Sequence, residues 1–192
     1  MNSYNPNGSE KVVVILLMVS VSLAGLIHAG LDAANLDLQW LISVPSVAII
    51  YGILYYAFEH HVWKWRWLRK LKLVTVPNLN GRWDGQIKSS YASNGQDHQI
   101  SVTITQQWSK ILVRLEAKES NSKSIAASFL MDDPSSPELV YVYDNEPGTW
   151  APESMHIHGG TARLRLTGSV LQGKYYTGQE RRTVGEIKLK KA

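Results

Sequence analysis

Two long apolar runs near the start of the chain constrain its fold more than any other feature. Residues 12–30 and 40–58 each extend for 19 residues without Asp, Glu, Lys or Arg. At a rise of about 1.5 Å per residue, a helix of that length spans roughly 28 Å, close to the thickness of a membrane's hydrocarbon layer. The sequence therefore predicts two transmembrane helices over 12–30 and 40–58, preceded by a short polar tail over 1–11. A cleaved signal peptide is the alternative for the first run, but a second run follows it immediately.

The charges beside these runs predict their orientation. The connecting segment contains Asp32 and Asp37 and no Lys or Arg, whereas five basic residues lie in the segment 59–76, just beyond the second run. Cytoplasmic flanks are enriched in Lys and Arg, so we expect a multi-pass protein with both termini in the cytoplasm. Trp and Tyr side chains at both ends of the second run are typical of an aromatic belt at the headgroup layer. We therefore expect a phospholipid membrane as a partner, and no DNA or RNA polymer.

The residue types exclude several kinds of active site. The chain has no cysteine, which excludes thiolate nucleophiles, disulfides and cysteine-ligated zinc. His156 and His158 could begin a metal site on one face of a strand, but no third ligand stands at a defined spacing. No Ser-His-Asp set, carboxylate pair or glycine-rich phosphate loop has a convincing context. The sequence indicates a binding protein without a metal or cofactor, and not an enzyme.

The remainder of the chain, residues 77–192, alternates apolar and polar residues in the way strands with one buried face do. Short connections rich in turn residues favour an antiparallel meander, and closing the sheet removes its exposed edges. The predicted fold of this domain is an eight-stranded antiparallel up-and-down, lipocalin-like β-barrel, with a β-sandwich as the alternative. The eight candidate strands are 82–91, 98–108, 110–117, 123–131, 138–144, 157–167, 170–177 and 182–190.

The same alternation predicts that the two ends of the barrel differ. One end collects large apolar side chains and should be filled: Trp83, Trp108, Ile111, Met131, Leu139, Leu166, Leu171 and Leu189. The other end collects rings and polar groups: Tyr91, His98, Tyr143, His158, Tyr175, Thr177, Arg181 and Thr183. Such a barrel can hold one small ligand at its open end. The pattern also turns Ile125 inward and predicts a bulge or bend at Gly159-Gly160.

The order of features along the chain resembles a known family. Two spans and a Trp- and Arg-rich stretch are followed by residues 77–85, PNLNGRWDG, which open the β-rich domain. This arrangement resembles the two-transmembrane, β-strand-rich effectors associated with CD-NTases in bacterial anti-phage CBASS operons, the CD-NTase-associated protein fifteen family. Within it, Gly81-x-Trp83 resembles the GxW signature of lipocalin-type barrels, in which the Trp closes the barrel floor.

Membership in that family would imply a mechanism that spacing and composition do not show. The resemblance implies a protein of the bacterial inner membrane whose cytoplasmic barrel binds a cyclic dinucleotide made by a partner CD-NTase after infection. Binding would then drive formation of a homo-oligomer, disruption of the membrane and death of the infected cell.

The candidate ligand contacts are taken from the residues themselves. Aromatic rings could stack on purines, a guanidinium could face a phosphate, and hydroxyls could donate to phosphate or ribose oxygens. The candidates are Tyr91, Tyr141, Tyr143 and Tyr175 for stacking, Arg181 for the phosphate, and Thr177 and Thr183 as donors. A membrane-tethered barrel for a lipid or a hydrophobic small molecule is the alternative, and a scaffold with a solid barrel is a third hypothesis.

Overall fold

A computed structural model describes residues 1–6, 8–35, 45–90, 97–132, 136–148, 151, 156–178 and 182–192. The chain forms two compact units. One unit is helical and comprises Asn7–Thr75, and the other contains the sheet and comprises Met1–Pro6 together with Val76–Ala192. The first six residues therefore belong with the C-terminal domain, although nearly seventy residues separate them in sequence.

The helical unit begins with α1, Ser9–Ala33, which contains the whole of the first predicted span. Within the described residues, α1 is the one helix long and apolar enough to cross a membrane. The second helix, α2, covers Pro45–His60, and residues 36–44, where the second predicted span begins, lie outside the described part of the chain. A 3₁₀ turn at Val62–Lys64 and a short helix α3 at Arg66–Lys70 complete the unit.

Small side chains lie where α1 is buried. α1 contacts α2, and the buried positions on α1 are Val12, Ser20 and Ala24, which share one face by helical spacing. The Ser20 hydroxyl donates to the Leu16 carbonyl at 2.6 Å, so its polar group is satisfied within the helix. The large apolar side chains of α1 are exposed instead, with Leu26 at 69%. Small residues at two of its three buried positions, with large apolar side chains exposed, fit a helix in a lipid environment.

The sheet unit is a closed antiparallel barrel. All eight predicted strands are confirmed, with boundaries within three residues of those expected, and each pairs with the next along the chain. The last of the eight pairs back with the first, which closes the ring and excludes the sandwich. The strands are β1 Asn2–Ser3, β2 Gly81–Ser89, β3 His98–Gln106, β4 Lys110–Glu116, β5 Ser120–Leu130, β6 Glu138–Pro147, β7 His158–Thr167, β8 Val170–Thr177 and β9 Val184–Lys191.

The predicted filled end is confirmed as the floor of the barrel. Trp83 is 1% exposed, and its indole Nε1 donates to the Leu79 carbonyl oxygen at 2.9 Å. The buried side chain of Gln106 accepts from Leu79 N at 2.8 Å and donates to the Pro77 carbonyl at 3.0 Å. The chain entering the first long strand is thus fastened under the barrel by hydrogen bonds. Other side chains at this end are almost fully buried: Ile111, Leu139, Leu171 and Leu189.

Two local predictions from the alternation are wrong. Ile125 points outward and is 56% exposed, because the β5–β6 register shifts between Ser124 and Ala126 and reverses the alternation. Gly159 and Gly160 lie in regular pairs opposite Asp144 and Tyr143, and the β6–β7 ladder has no register shift there. The reason for a glycine at position 160 lies instead in the packing around the cavity.

Candidate ligand site

The end of the barrel opposite the floor contains a cavity of about 420 Å³. That volume lies within the usual range for small-molecule sites. Five predicted contacts line it: Tyr141, Tyr143, Tyr175, Thr177 and Thr183. His98 and His158, also predicted for this end, are at its edge. Tyr91 and Arg181 lie outside the described residues, so their roles remain predictions.

Three tyrosines form the aromatic part of the lining. Tyr141, Tyr143 and Tyr175 are each less than a tenth exposed. The Tyr141 and Tyr143 rings lie 6.0 Å apart between centroids, tilted by 51°, so neither ring covers the face of the other. Burial, and to a smaller extent the neighbouring Tyr143, raises the pKa of Tyr141. Its hydroxyl therefore stays protonated and remains a hydrogen-bond donor at physiological pH.

Two glycines make room for these rings. A Cβ atom at Gly160 would lie 2.5 Å from both Tyr143 Cζ and the Tyr176 carbonyl oxygen, and one at Gly185 would lie closer still to Tyr175 Cε1 and the Lys88 carbonyl oxygen. Any side chain at either position would displace the ring together with the backbone of the neighbouring strand. By contrast, a Cβ at Gly159 would meet nothing closer than 3.5 Å. Gly160 is therefore part of the site, and a bulge is not needed to explain it.

The two predicted threonine donors bond to each other. Thr177 Oγ1 and Thr183 Oγ1 are 2.8 Å apart, and Thr183 N donates to Thr177 Oγ1 at 2.8 Å. Thr177 N donates to the Thr183 carbonyl at 3.0 Å. This cluster ties β8 to the start of β9 at the edge of the cavity. Both hydroxyl groups are hydrogen-bonded within this cluster, and both residues line the cavity.

Several lining residues escaped the sequence analysis. Asn145 is 7% exposed at the end of β6, and Ser120 and Ser122 line the cavity from β5. Their strands extend farther toward the mouth than predicted. In the sequence S-N-S-K-S at 120–124, serine alternates with larger polar residues, so a strand is indicated but no hydrophobic period is present. The regular spacing of the serines is the one feature of the sequence that could have extended the predicted strand to residue 120.

Charged groups surround the mouth. Lys118 and Glu119, in the β4–β5 turn, and Asp97, just before β3, line the cavity, and Asp97 pairs with Lys88 at 3.6 Å. His158 Nδ1 lies 2.9 Å from the His156 carbonyl oxygen. Within the described residues, no group of three His, Cys, Asp or Glu side chains could hold a metal ion.

Comparison with known proteins identifies both units. Residues 74–191 match the family model described as "Cap15, cyclic dinucleotide receptor domain", and residues 10–64 match "Cap15, TM helices". The chain belongs to the Cap15 family. The resemblance seen in the sequence is thereby confirmed, and the matched transmembrane region makes this a membrane protein. Every residue that lines the cavity falls inside the matched receptor domain.

Relatives in three bacteria carry the name CD-NTase-associated protein 15. The protein from Yersinia aleksiciae is 34% identical over 149 residues, which cover 76% of this chain and 69% of the relative. The protein from Staphylococcus schleiferi is 27% identical over 81% of this chain and 82% of its own length. A third, from Escherichia albertii, is 27% identical over 65% of this chain and 63% of its own length.

The family motif builds the floor and not the cavity. Trp83 points inward and seals the barrel, while Arg82 and Asp84 point outward and pair with each other at 2.9 Å. None of the three lines the cavity. The residues that reveal the family in the sequence are therefore different from those that would contact a ligand.

Proposed function

We propose that this protein is a membrane-anchored CBASS effector whose barrel binds a cyclic dinucleotide made by a partner CD-NTase. The ligand-bound protein then forms a homo-oligomer, disrupts the bacterial inner membrane and kills the phage-infected cell. The observation that carries the proposal is the cavity, which lies in a barrel sealed at the opposite end by Trp83 and is lined by tyrosine, threonine, serine and asparagine side chains within the matched receptor domain.

The lining offers a partner for each part of a cyclic dinucleotide. The rings of Tyr143 and Tyr175 present faces on which bases can stack. Asn145 carries both a donor and an acceptor, as reading the edge of a base requires. Lys118 stands at the mouth, and Arg181 is the predicted phosphate contact. A lipid chain is the less favoured ligand, because its methylene groups could pair with neither the Asn145 amide nor the Lys118 ammonium group.

The pairing of the N-terminal strand supports the proposed topology. β1 pairs with β4, so the first residues and the barrel lie on the same side of any membrane that the intervening segment crosses. The segment between them must then cross an even number of times. Lys and Arg residues next to the barrel favour the cytoplasmic side. We therefore propose a two-span protein with both termini and the barrel in the cytoplasm.

The test of ligand binding uses the full-length protein in lipid nanodiscs. Cyclic di-AMP, cyclic di-GMP, cyclic di-UMP and cyclic GMP–AMP are titrated separately by calorimetry. We expect one of them to bind tightly and Tyr175→Ala to weaken that binding about tenfold or more, since a base–ring stack contributes roughly 1–3 kcal/mol. Tyr176→Ala is the matched control, because the neighbouring ring points outward and is 49% exposed.

A second pair of variants tests the phosphate contact. Arg181→Ala should weaken binding, and Arg182→Ala, one residue along the chain, should not. If no cyclic dinucleotide binds the folded protein, or if both members of each pair behave alike, the receptor assignment for this cavity is wrong. Binding of a fatty acid or phospholipid in place of the nucleotides would support the lipid-binding alternative.

The effector step is tested on vesicles that contain the full-length protein and an encapsulated dye. Adding the cyclic dinucleotide that binds should release the dye and move the protein to larger species in cross-linking. Tyr175→Ala should do neither at the same ligand concentration. Binding without dye release would separate the receptor function from the proposed membrane disruption.

A further inference from the structure

The first strand of the protein completes the barrel wall. Asn2 pairs with Ile111 and Ser3 with Lys110, both in β4, and Tyr4 N donates to the Ser109 carbonyl at 2.9 Å. Residues 2–4 lie outside both matched family ranges, which begin at residues 10 and 74. The two family descriptions therefore assign no role to this strand.

The strand fills a gap between β4 and β5. These two strands pair only where 114–116 meet 121–123, at the end that carries the cavity. Beyond Lys123 the direct ladder stops, and Asn2 bridges the gap. Its Nδ2 donates to the Ser124 carbonyl oxygen at 3.1 Å and to Ser124 Oγ at 2.8 Å. Ser124 Oγ in turn accepts a hydrogen bond from Val113 N at 3.0 Å, so Ser124 connects Asn2 to β4 as well as to β5.

Tyr4 anchors the same segment inside the barrel. Its side chain is 9% exposed, and its ring meets Phe129 edge-on, with centroids 5.4 Å apart and planes inclined by 64°. Its hydroxyl accepts a hydrogen bond from Gln106 Nε2 at 3.2 Å. The N-terminal segment therefore contacts β3, β4 and β5.

The ligand cavity begins where this contact ends. Leu115, Ser120 and Ser122 line the cavity from the paired half of the β4–β5 seam. Ser122 is two residues before Ser124 on the same strand, so both side chains face inward. Anything that fixes Ser124 also restricts the position of Ser122. A ligand and the N-terminal strand thus act on one seam from its two ends.

We infer that β1 is the coupling element that links the ligand cavity to the first membrane helix. The docked strand and the bound ligand stabilise each other through the β4–β5 seam, and α1 begins only five residues after Tyr4. The inference rests on the proposed receptor function of this cavity. Coupling free energies are reciprocal, so a ligand that strengthens docking must bind more tightly to the docked form.

Hydrogen exchange on the full-length protein in nanodiscs tests the coupling. Each of the four cyclic dinucleotides named above is added at saturating concentration. We expect a ligand that protects the cavity strands also to slow exchange in the peptide covering residues 2–6. Protection of the cavity strands with unchanged exchange at 2–6 would overturn the coupling alone. If no cavity strand is protected by any of the four, the receptor assignment fails instead.

Substitutions test the reciprocal effect. Asn2→Ala removes both hydrogen bonds from Asn2 to Ser124 and should weaken ligand binding about fivefold, as expected when the hydrogen bonds that dock the strand are lost. Ser3→Ala is the matched control, because that side chain is exposed and the backbone pairing is retained. Tyr4→Ala should weaken binding further, and exchange across β6–β8 reports whether the barrel is still folded. Wild-type affinity in both Asn2→Ala and a folded Tyr4→Ala protein would overturn the inference.

Discussion

The two ends of the barrel are made by the same eight strands and yet differ in what fills them. At the floor, Trp83, Ile111 and Leu171 occupy the interior and are at most 1% exposed. At the mouth, Gly160 and Gly185 replace side chains on the inner face, and the rings of Tyr143 and Tyr175 take the space. A void of about 420 Å³ remains there.

One alternating pattern of side chains thus serves stability at one end of the barrel and ligand binding at the other. Large branched and aromatic side chains at the floor maximise burial, which stabilises the fold. Rings, hydroxyls and an amide at the mouth leave open volume and polar groups that a ligand can pair with. Changes at the floor should therefore act on stability, and changes at the mouth should act mainly on binding.

The largest effect is expected from Trp83→Ala at the floor. The substitution leaves a cavity and removes the hydrogen bond to Leu79, so the free energy of unfolding should fall by about 3–5 kcal/mol. Urea unfolding of the full-length protein in detergent micelles, followed by near-ultraviolet circular dichroism, measures it. Trp67→Ala, at a site that is 50% exposed, is the control and should change little. Equal losses in both variants would contradict the role of the floor.

A smaller loss of stability with a large loss of binding is expected from Gly160→Ala at the mouth. The added methyl group would collide with the Tyr143 ring and with the Tyr176 carbonyl oxygen, and overpacking of this kind costs about 1–3 kcal/mol. Displacement of the ring should also weaken cyclic dinucleotide binding in calorimetry. Gly159→Ala is the adjacent control, since its methyl group meets only ordinary contacts. Unchanged ligand affinity in Gly160→Ala would show that Tyr143 does not contact the ligand.

A still smaller effect is expected from Thr183→Val, which keeps the shape of the side chain. It removes the hydroxyl pair with Thr177, while the Thr183 backbone still bonds to Thr177. The expected loss is about 0.5–1 kcal/mol of unfolding free energy. Ligand affinity should fall by a few-fold, as measured by the same titration. Thr161→Val on the exposed outer wall is the control, and a matching change there would argue against a role in the cavity.

The smallest effect concerns Glu138 on the outer wall at the floor end. Hydrogen bonds from Arg165 and Arg163 lower the pKa of this carboxyl below its usual value near 4.5. Because the folded pKa is the lower one, the stabilisation is complete above about pH 4.5 and is lost as the pH falls through the folded pKa. Both guanidinium side chains are at least 60% exposed, so solvent screening limits the effect to about 1 kcal/mol.

Unfolding at a series of acidic pH values measures this contribution. Glu138→Gln should flatten the fall in stability below about pH 4.5, whereas Glu186→Gln, at an exposed position on β9, should leave the wild-type pH dependence in place. If the stability of Glu138→Gln falls at acidic pH as steeply as that of the wild type, the ion pairs between Glu138 and the two arginines contribute nothing measurable.

Local residue patterns were sufficient to predict the architecture of this protein. Two uncharged runs predicted the helical unit, and period-two alternation located all eight long strands and the filled floor. Both signals are strong because they depend on hydrophobic burial, which repeats along the chain at the period of the helix or strand. The same alternation correctly turned Tyr141, Tyr143 and Tyr175 toward the barrel interior, where they line the cavity.

Features that depend on contacts between distant segments could be seen only in the folded barrel. The shift at Ser124 turned Ile125 outward, which no local pattern in 123–131 indicates. A glycine is needed at position 160 because the Tyr143 ring, on another strand, packs against it. Asn2 and Tyr4 belong to the barrel unit, although the rest of that unit begins only at Val76. A two-residue strand has too few positions to show a period, and its pairing energy comes from partners more than a hundred residues away. Such elements are specified by the fold around them and not by their own sequence.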